Sequence, residues 1–207
     1  MIYNTYKNNE AQIWSEIDSF THERYIQFAT YISDGQTILD IGCNTGRGGV
    51  VLKELYPQIK LYGIDLIEGR ANKIPSNIYE KVFNESIVYW NSNGIKFDRI
   101  IAGELIEHIE KNEFLIMLKN CKELLKDDGL ILFTTPNPNS FLVKLGNKAV
   151  FKDPSHINIL SVAQFKEKVK SCGLKVDKIV GSGKMTRYLK NFPILNLYGS
   201  YLSILKK

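Results

Sequence analysis

The stretch GELIEHIEK holds Glu104, Glu107 and His108. Their spacings of three and four residues bring the side chains onto one side of a helical turn. Two carboxylates and an imidazole form a hard-to-intermediate donor set, suited to Mg²⁺, Mn²⁺, Fe²⁺ or Zn²⁺. His156, in DPSHINILS, is a second imidazole in a chain with three histidines. Three readings stand side by side. Glu104, Glu107, His108 and His156 are metal ligands; or Glu107, His108 and His156 are catalytic groups that move a proton without a metal; or the group is a helix cap, a solvated glutamate and a satisfied histidine.

A second stretch, ILDIGCNTGRGG, runs from Ile38 to Gly49. Gly42, Gly46 and Gly48 remove side chains where backbone would approach a ligand. A dinucleotide fingerprint wants glycines at 42, 44 and 47, where this chain has Gly, Asn and Arg. A Walker-type Gly-Lys-Ser/Thr is absent as well. Asp65, at the end of LYGID, offers two carboxylate oxygens to the two hydroxyls of a ribose. Together these point to a pocket for adenosine without a pyrophosphate. Smaller candidates surround it. Asn137, in FTTPNPNS, is a candidate to hydrogen-bond an acceptor, and His22, Arg24 and Tyr25 lie in FTHERYIQF. Tyr3, Tyr6 and Trp14 are candidates for lining the acceptor or for packing as a lid.

Alternating strands and helices must hold these residues. TILDIG, KLYGID, FDRIIAGE and the nearly all-apolar GLILFTTPN read as buried strands, with a further strand in NIYEKVFN. GRGGVVLKELYP reads as a helix ended by Pro57, EFLIMLKNCKELLKDDG as one stopped by Gly129, and SVAQFKEKVKSCG as another with a glycine stop. LKVDKIVG and GKMTRYL read as a closing strand pair joined by GSG. The expected fold is α/β: a doubly wound, Rossmann-like, seven-stranded, mostly parallel sheet with one antiparallel strand near the C-terminus. Ligands of such sheets sit beyond the carboxyl ends of the strands. One domain is expected, with a helical lid over residues 1–35, a core over 36–190 and an apolar segment over 191–207 that packs, pairs subunits or touches a membrane surface.

The bulk properties set limits. The 207 residues carry 27 Lys and Arg against 22 Asp and Glu, a net +5. That excess allows an anionic substrate or a membrane surface and gives no argument for nucleic acid. Three scattered cysteines fit a reducing compartment. No signal pattern opens the chain, and no apolar run nears the ~20 residues of a membrane span. The expected location is the cytoplasm, and the expected state a monomer or homodimer.

ILDIGCNTG, LYGID, FDRIIAGELIEHI and LLKDDGLILFTTPN, in this order over about Gln36 to Gly181, resemble the successive motifs of class I S-adenosylmethionine-dependent methyltransferases. The flavour is that of ubiquinone-biosynthesis O-methyltransferases and of methyltransferases from bacterial surface-glycan clusters. The resemblance implies S-adenosylmethionine as donor and S-adenosylhomocysteine as product. It implies that Asp40, Gly42, Cys43, Asn44 and Gly46 line the methionine part, that Asp65 with Leu66 holds the ribose, and that Asn84, Glu85 and Ser86 border the adenine. Gly103, Glu104 and Arg24 complete the implied cofactor contacts. GELIEHIEK with His156 also resembles the two-Glu, two-His metal site of small-RNA terminal 2′-O-methyltransferases and the Glu-x-x-Glu-His of the ubiquinone enzymes. A metal there would lower the pKa of an acceptor hydroxyl. The implied reaction is O-methylation of a polar small molecule, a sugar or phosphorylated precursor in surface-polysaccharide biosynthesis. Polyprenyl phenols, RNA 2′-hydroxyls and a non-catalytic S-adenosylmethionine-binding subunit are the alternatives.

Overall fold

The computed structural model describes residues 19–189 and 192–207. Tyr3, Tyr6 and Trp14 lie outside them. The chain runs α1 (Ser19–Ala29), β1 (Thr37–Ile41), α2 (Arg47–Leu55), β2 (Lys60–Ile64), α3 (Glu68–Ala71), β3 (Lys81–Phe83) and β4 (Phe97–Gly103). After a 3₁₀ turn at Ile106–His108 come α4 (Lys111–Leu124), β5 (Leu125–Pro136), α5 (Phe141–Lys144), α6 (Ala149–Lys152), α7 (Val162–Ser171) and β6 (Lys175–Ser182). The chain closes with α8 (Thr186–Leu189), a 3₁₀ turn at Leu195–Leu197 and β7 (Ser200–Lys206). All seven strands form one sheet in the order β3-β2-β1-β4-β5-β7-β6, with β7 antiparallel to both neighbours.

Both faces of this sheet are covered, which is why its strands read as apolar runs. Adjacent residues point to opposite faces: Leu39 and Ile100 join one core cluster, Ile38 and Ile101 the other. On the first face Phe114, Met117, Leu118 and Cys121 of α4 recur at helical spacing and are fully buried. On the second, Tyr25, Phe28 and Ile32 pack with Val51 and Leu52 of α2. Each fully buried side chain of this size contributes about 1.5–3 kcal/mol. α7 begins with a capping box, Ser161 with Gln164, and ends at Cys172 before Gly173 at φ 68°.

Two expectations need correction. GKMTRYL is not a strand. Gly183 at φ 95° breaks the extended chain, the Thr186 hydroxyl donates to its carbonyl at 2.7 Å, and Thr186–Leu189 turns into α8. The partner of β6 is the tail segment Ser200–Lys206, inserted between β5 and β6. Burial on both faces there accounts for the apolarity of SYLSIL. Gly129 does not stop α4, which ends at Leu124; it lies inside β5, beside the register shift between Phe97 and Arg99, where a Cβ would sit 2.7 Å from Leu125 side-chain atoms.

Candidate active site

A cleft of about 670 Å³, part of it open to solvent, lies beyond the carboxyl ends of β1, β2 and β4. Gly42, Asn44, Asp65, Leu66, Glu85, Ser86, Gly103, Glu104 and His108 line it, as do Arg70, Ile87, Val88, Leu105 and Ile109. Gly42 turns the chain out of β1 at φ 72°, and its N–H donates to the Ile64 carbonyl at 2.8 Å, holding the turn against β2. Asn44 follows at φ 51°, and its N–H donates to Asp65 Oδ2 at 2.9 Å. Ile67 N–H donates to Asp65 Oδ1 at 2.9 Å. Burial raises the pKa of this carboxyl, while the two amides favour its ionised form. Each carboxylate oxygen has two lone pairs, so one remains on each for a ligand hydroxyl.

Asp40, Cys43 and Gly46 stand behind the cleft wall rather than in it. Asp40 is fully buried, with Tyr25 OH donating to Oδ1 and Tyr79 OH to Oδ2, both at 2.7 Å. Burial pushes its carboxyl up to about 6 against the pull of the two phenols. The same burial raises the two phenols, and burial beside Asp40 raises the Cys43 thiol. Gly48 is explained here too. A Cβ on it would meet the Tyr25 ring at 2.0 Å, and one on Gly49 would meet the Tyr79 hydroxyl at 2.5 Å. These glycines make room for the tyrosines. Asn84 braces the loop by donating from Nδ2 to the Asp65 carbonyl at 3.0 Å. Arg24 lies beside Gly103, where a Cβ would fall 2.9 Å from its Cδ, and its Nε is 3.9 Å from Glu104 Oε1.

Glu104 ends β4 at φ 52°, an uncommon backbone for a residue with a side chain. Its N–H donates to the Thr134 carbonyl at 3.1 Å, and its Oε2 accepts from the Ser200 hydroxyl at 3.3 Å. Its Oε1 and the Asn44 Oδ1 are buried acceptors without a hydrogen-bond donor among the described residues. Both residues line the cleft, and Glu104 Oε1 faces the Arg24 guanidinium. Next to it the 3₁₀ turn buries Glu107 and His108. Ile157 and Asn158 N–H both donate to the Glu107 carbonyl, at 2.8 and 3.0 Å, tying this turn to the segment that carries His156. Thr135 OH donates to Glu107 Oε2 at 3.1 Å. Burial, reinforced by Glu104, lifts the Glu107 carboxyl well above the usual range. His108 Nδ1 lies 3.2 Å from the Ser155 carbonyl and His156 Nδ1 lies 2.6 Å from that of Val150. A carbonyl only accepts, so each Nδ1 carries the proton and each Nε2 keeps a lone pair. The rings meet edge to face at 4.9 Å. Burial, then the second imidazole, lowers His108 to about 4.

One donor atom each from Glu107, His108 and His156 lies within 4.8 Å of the others. Glu104 stands outside this group, turned to Ser200 and Arg24. Asn137, the other acceptor candidate, is committed to structure: its Nδ2 donates to the Leu195 carbonyl at 3.0 Å. Thr135 was legible as a hydroxyl ending an all-apolar strand. Arg70, Leu105 and Tyr79 carried no signal.

A family model described as a methyltransferase domain matches residues 13–179. The chain belongs to that family. The structure of an S-adenosylmethionine-dependent methyltransferase from Archaeoglobus fulgidus superposes with a TM-score of 0.70 at 20% identity, over 90% of this chain and 92% of that one, and shows the shared fold. The (S)-coclaurine N-methyltransferase of Papaver somniferum is 29% identical over 133 residues, 61% of this chain and 36% of the relative. A ubiquinone biosynthesis O-methyltransferase of Coxiella burnetii is 29% identical over 112 residues, 51% of this chain and 45% of the relative. The chain thus matches less than half the length of these curated relatives. In family it is a methyltransferase domain, and its fold is the one seen in S-adenosylmethionine-dependent methyltransferases. No helix among the described residues is long and apolar enough to cross a membrane.

Proposed function

We propose that the chain transfers the methyl group of S-adenosylmethionine to a hydroxyl oxygen of a polar small molecule, with a divalent cation such as Mg²⁺ or Mn²⁺ held by Glu107, His108 and His156. The observation that carries this reading is the pair of imidazoles, each held at Nδ1 by a backbone carbonyl and each placing one ligand atom, with one from Glu107, within 4.8 Å of the others. Such second partners orient metal-binding histidines. The donor set fits a cation. Ligands at ~2.1 Å lie at most ~4.2 Å apart across it, so a cluster spanning up to 4.8 Å closes by about half an ångström. An imidazole lowered to about 4 is neutral at pH 7, the form that coordinates, and is a weak base toward an alcohol.

When bound, such a cation would supply Lewis-acid polarisation of the acceptor hydroxyl, easing loss of its proton to solvent in the open part of the cleft as the sulfonium carbon–sulfur bond breaks and the thioether product leaves. The chain's own residues do the rest. Asp65 and the Asn44 turn hold the ribose of the donor, Glu104 and Asn44 accept from its ammonium group, and Ile64, Leu66, Ile87 and Val88 give the adenine apolar walls. Thr135 donates to Glu107 Oε2 on the acceptor side, and the proton that burial favours on that carboxyl would be displaced by a bound cation. Alignment of this kind supplies about 7–11 kcal/mol of a displacement barrier. A sugar or phosphorylated precursor of a surface glycan suits a cation that binds hydroxyls and a cleft carrying Arg70. Three buried free thiols support a cytoplasmic setting. An amine acceptor, with no cation, is the second reading, favoured by the plant N-methyltransferase among the relatives. Calorimetric titration with Mn²⁺ separates the two. One equivalent bound, lost in His156→Ala, is expected; no binding to the wild type removes the cation and leaves the amine reading.

A further inference from the structure

Two segments beside the cleft concentrate features that the transfer reaction does not use. Residues 141–152 and 184–194 hold six cations, Lys144, Lys148, Lys152, Lys184, Arg187 and Lys190, and no acid. The whole chain is +5, so all other residues together carry −1. The same segments hold seven of the eleven exposed large apolar side chains of the described surface: Phe141, Leu142, Leu145, Phe151, Tyr188, Phe192 and Ile194. Leu145 and Tyr188 are each 78% exposed.

The segments form one region of the fold. Each leaves the sheet at the same end, where Pro136 and Ser182 both pair with Ser200. Asn137 joins the two loops through its bond to the Leu195 carbonyl, and α5 packs on the 3₁₀ turn Leu195–Leu197. The region borders the acceptor side directly, because the Val150 carbonyl fixes His156. Two cations have local partners: Arg187 pairs with Glu23, and Lys184 lies 4.5 Å over the Phe20 ring. Lys144, Lys148 and Lys152 are exposed and form no ion pair with a described acid.

We propose that this face docks on an anionic lipid surface, with the apolar tips entering the headgroup layer and the lysines meeting the lipid phosphates. Interleaved apolar and basic residues, with no acid inside either segment and Glu23 answering Arg187, match such a surface in both chemistry and charge. A second copy fits poorly, since a two-fold contact sets the same cationic patch against itself. Exposed leucines and an isoleucine favour an apolar layer over the stacked bases of a single-stranded nucleic acid. Docking here turns the acceptor side of the cleft toward the bilayer. The inference is independent of the acceptor's identity and of the cation.

The test is sedimentation of the full chain with vesicles of phosphatidylcholine alone and of phosphatidylcholine mixed with phosphatidylglycerol. Binding to the mixed vesicles alone is expected, weakened by salt. The triple variant Lys144→Gln, Lys148→Gln, Lys152→Gln should lose about 150-fold in partitioning, from about 1 kcal/mol per lysine near an anionic surface. Leu145→Ser with Phe141→Ser should weaken it too. Lys60→Gln, Lys170→Gln, Lys175→Gln, exposed lysines away from this face, should leave it intact with the same change of net charge. Absence of vesicle binding by the wild type overturns the proposal. So does an equal loss in the remote triple variant, or a patch variant that alters only self-association or RNA binding. Unchanged circular-dichroism melts establish that the surface variants fold.

Discussion

Asp40 gives a prediction whose sign and size follow from the fold. Its carboxyl is buried beneath the glycine turn with a phenol on each oxygen and a pKa of about 6. In the unfolded chain it returns to about 3.9. The folded state therefore keeps this proton to higher pH than the unfolded state. The group's favourable contribution is full below pH ~4 and is lost as pH rises through about 6. Two units at 1.36 kcal/mol each make the ionised form about 3 kcal/mol costlier at pH 7 than the protonated form at pH 4. Asp40→Asn has nearly the same shape and does not titrate. One tyrosine hydroxyl must then accept from the amide, which a rotating hydroxyl can do. Urea unfolding of both proteins from pH 4.5 to 7.5 isolates this residue, because every other titrating group, His108 included, is common to the two. The stability gap should move by about 2 kcal/mol in favour of Asn as pH rises over this range. Parallel curves would refute the buried-carboxylate account.

Two further predictions concern the same turn. Asp65→Ala removes the acceptor for the ribose and the brace on Asn44 and Ile67, so S-adenosylmethionine should bind about 30-fold more weakly or worse by calorimetry, a single charged hydrogen bond being worth about 1.5–3 kcal/mol. Undiminished affinity would remove Asp65 from the site. Gly48→Ala places a Cβ 2.0 Å from the Tyr25 ring and should cost about 1–3 kcal/mol of stability in a denaturant melt, as overpacking does. A neutral result would mean that the glycine serves something other than Tyr25.

The parts of this molecule visible in its sequence are those with a local period or a local spacing. Buried parallel strands read as apolar runs, Ser161 with Gln164 opens α7, and the misplaced glycines of ILDIGCNTGRGG excluded a dinucleotide. The parts that stayed hidden depend on distant partners. Nothing in GSYLSILKK reveals that it slots between β5 and β6, since a central strand and an apolar surface segment share a composition. Gly48 looked like a ligand-approach glycine because the sequence does not reveal Tyr25 packed against it on the way to Asp40. The cluster of Glu107, His108 and His156 was expected with Glu104 in it. Glu104 departs because its backbone turns at φ 52° and sends the side chain to Ser200, a residue 96 positions later.

The central claim is methyl transfer from S-adenosylmethionine at a cation-dependent acceptor site. Its most direct measurement follows labelled methyl from S-adenosylmethionine into a pool of hydroxylated sugars and sugar phosphates, using enzyme stripped with chelator and then restored with Mn²⁺. Label should enter a product only after restoration, with S-adenosylmethionine affinity unchanged by the stripping. Full transfer by the stripped enzyme would contradict the account.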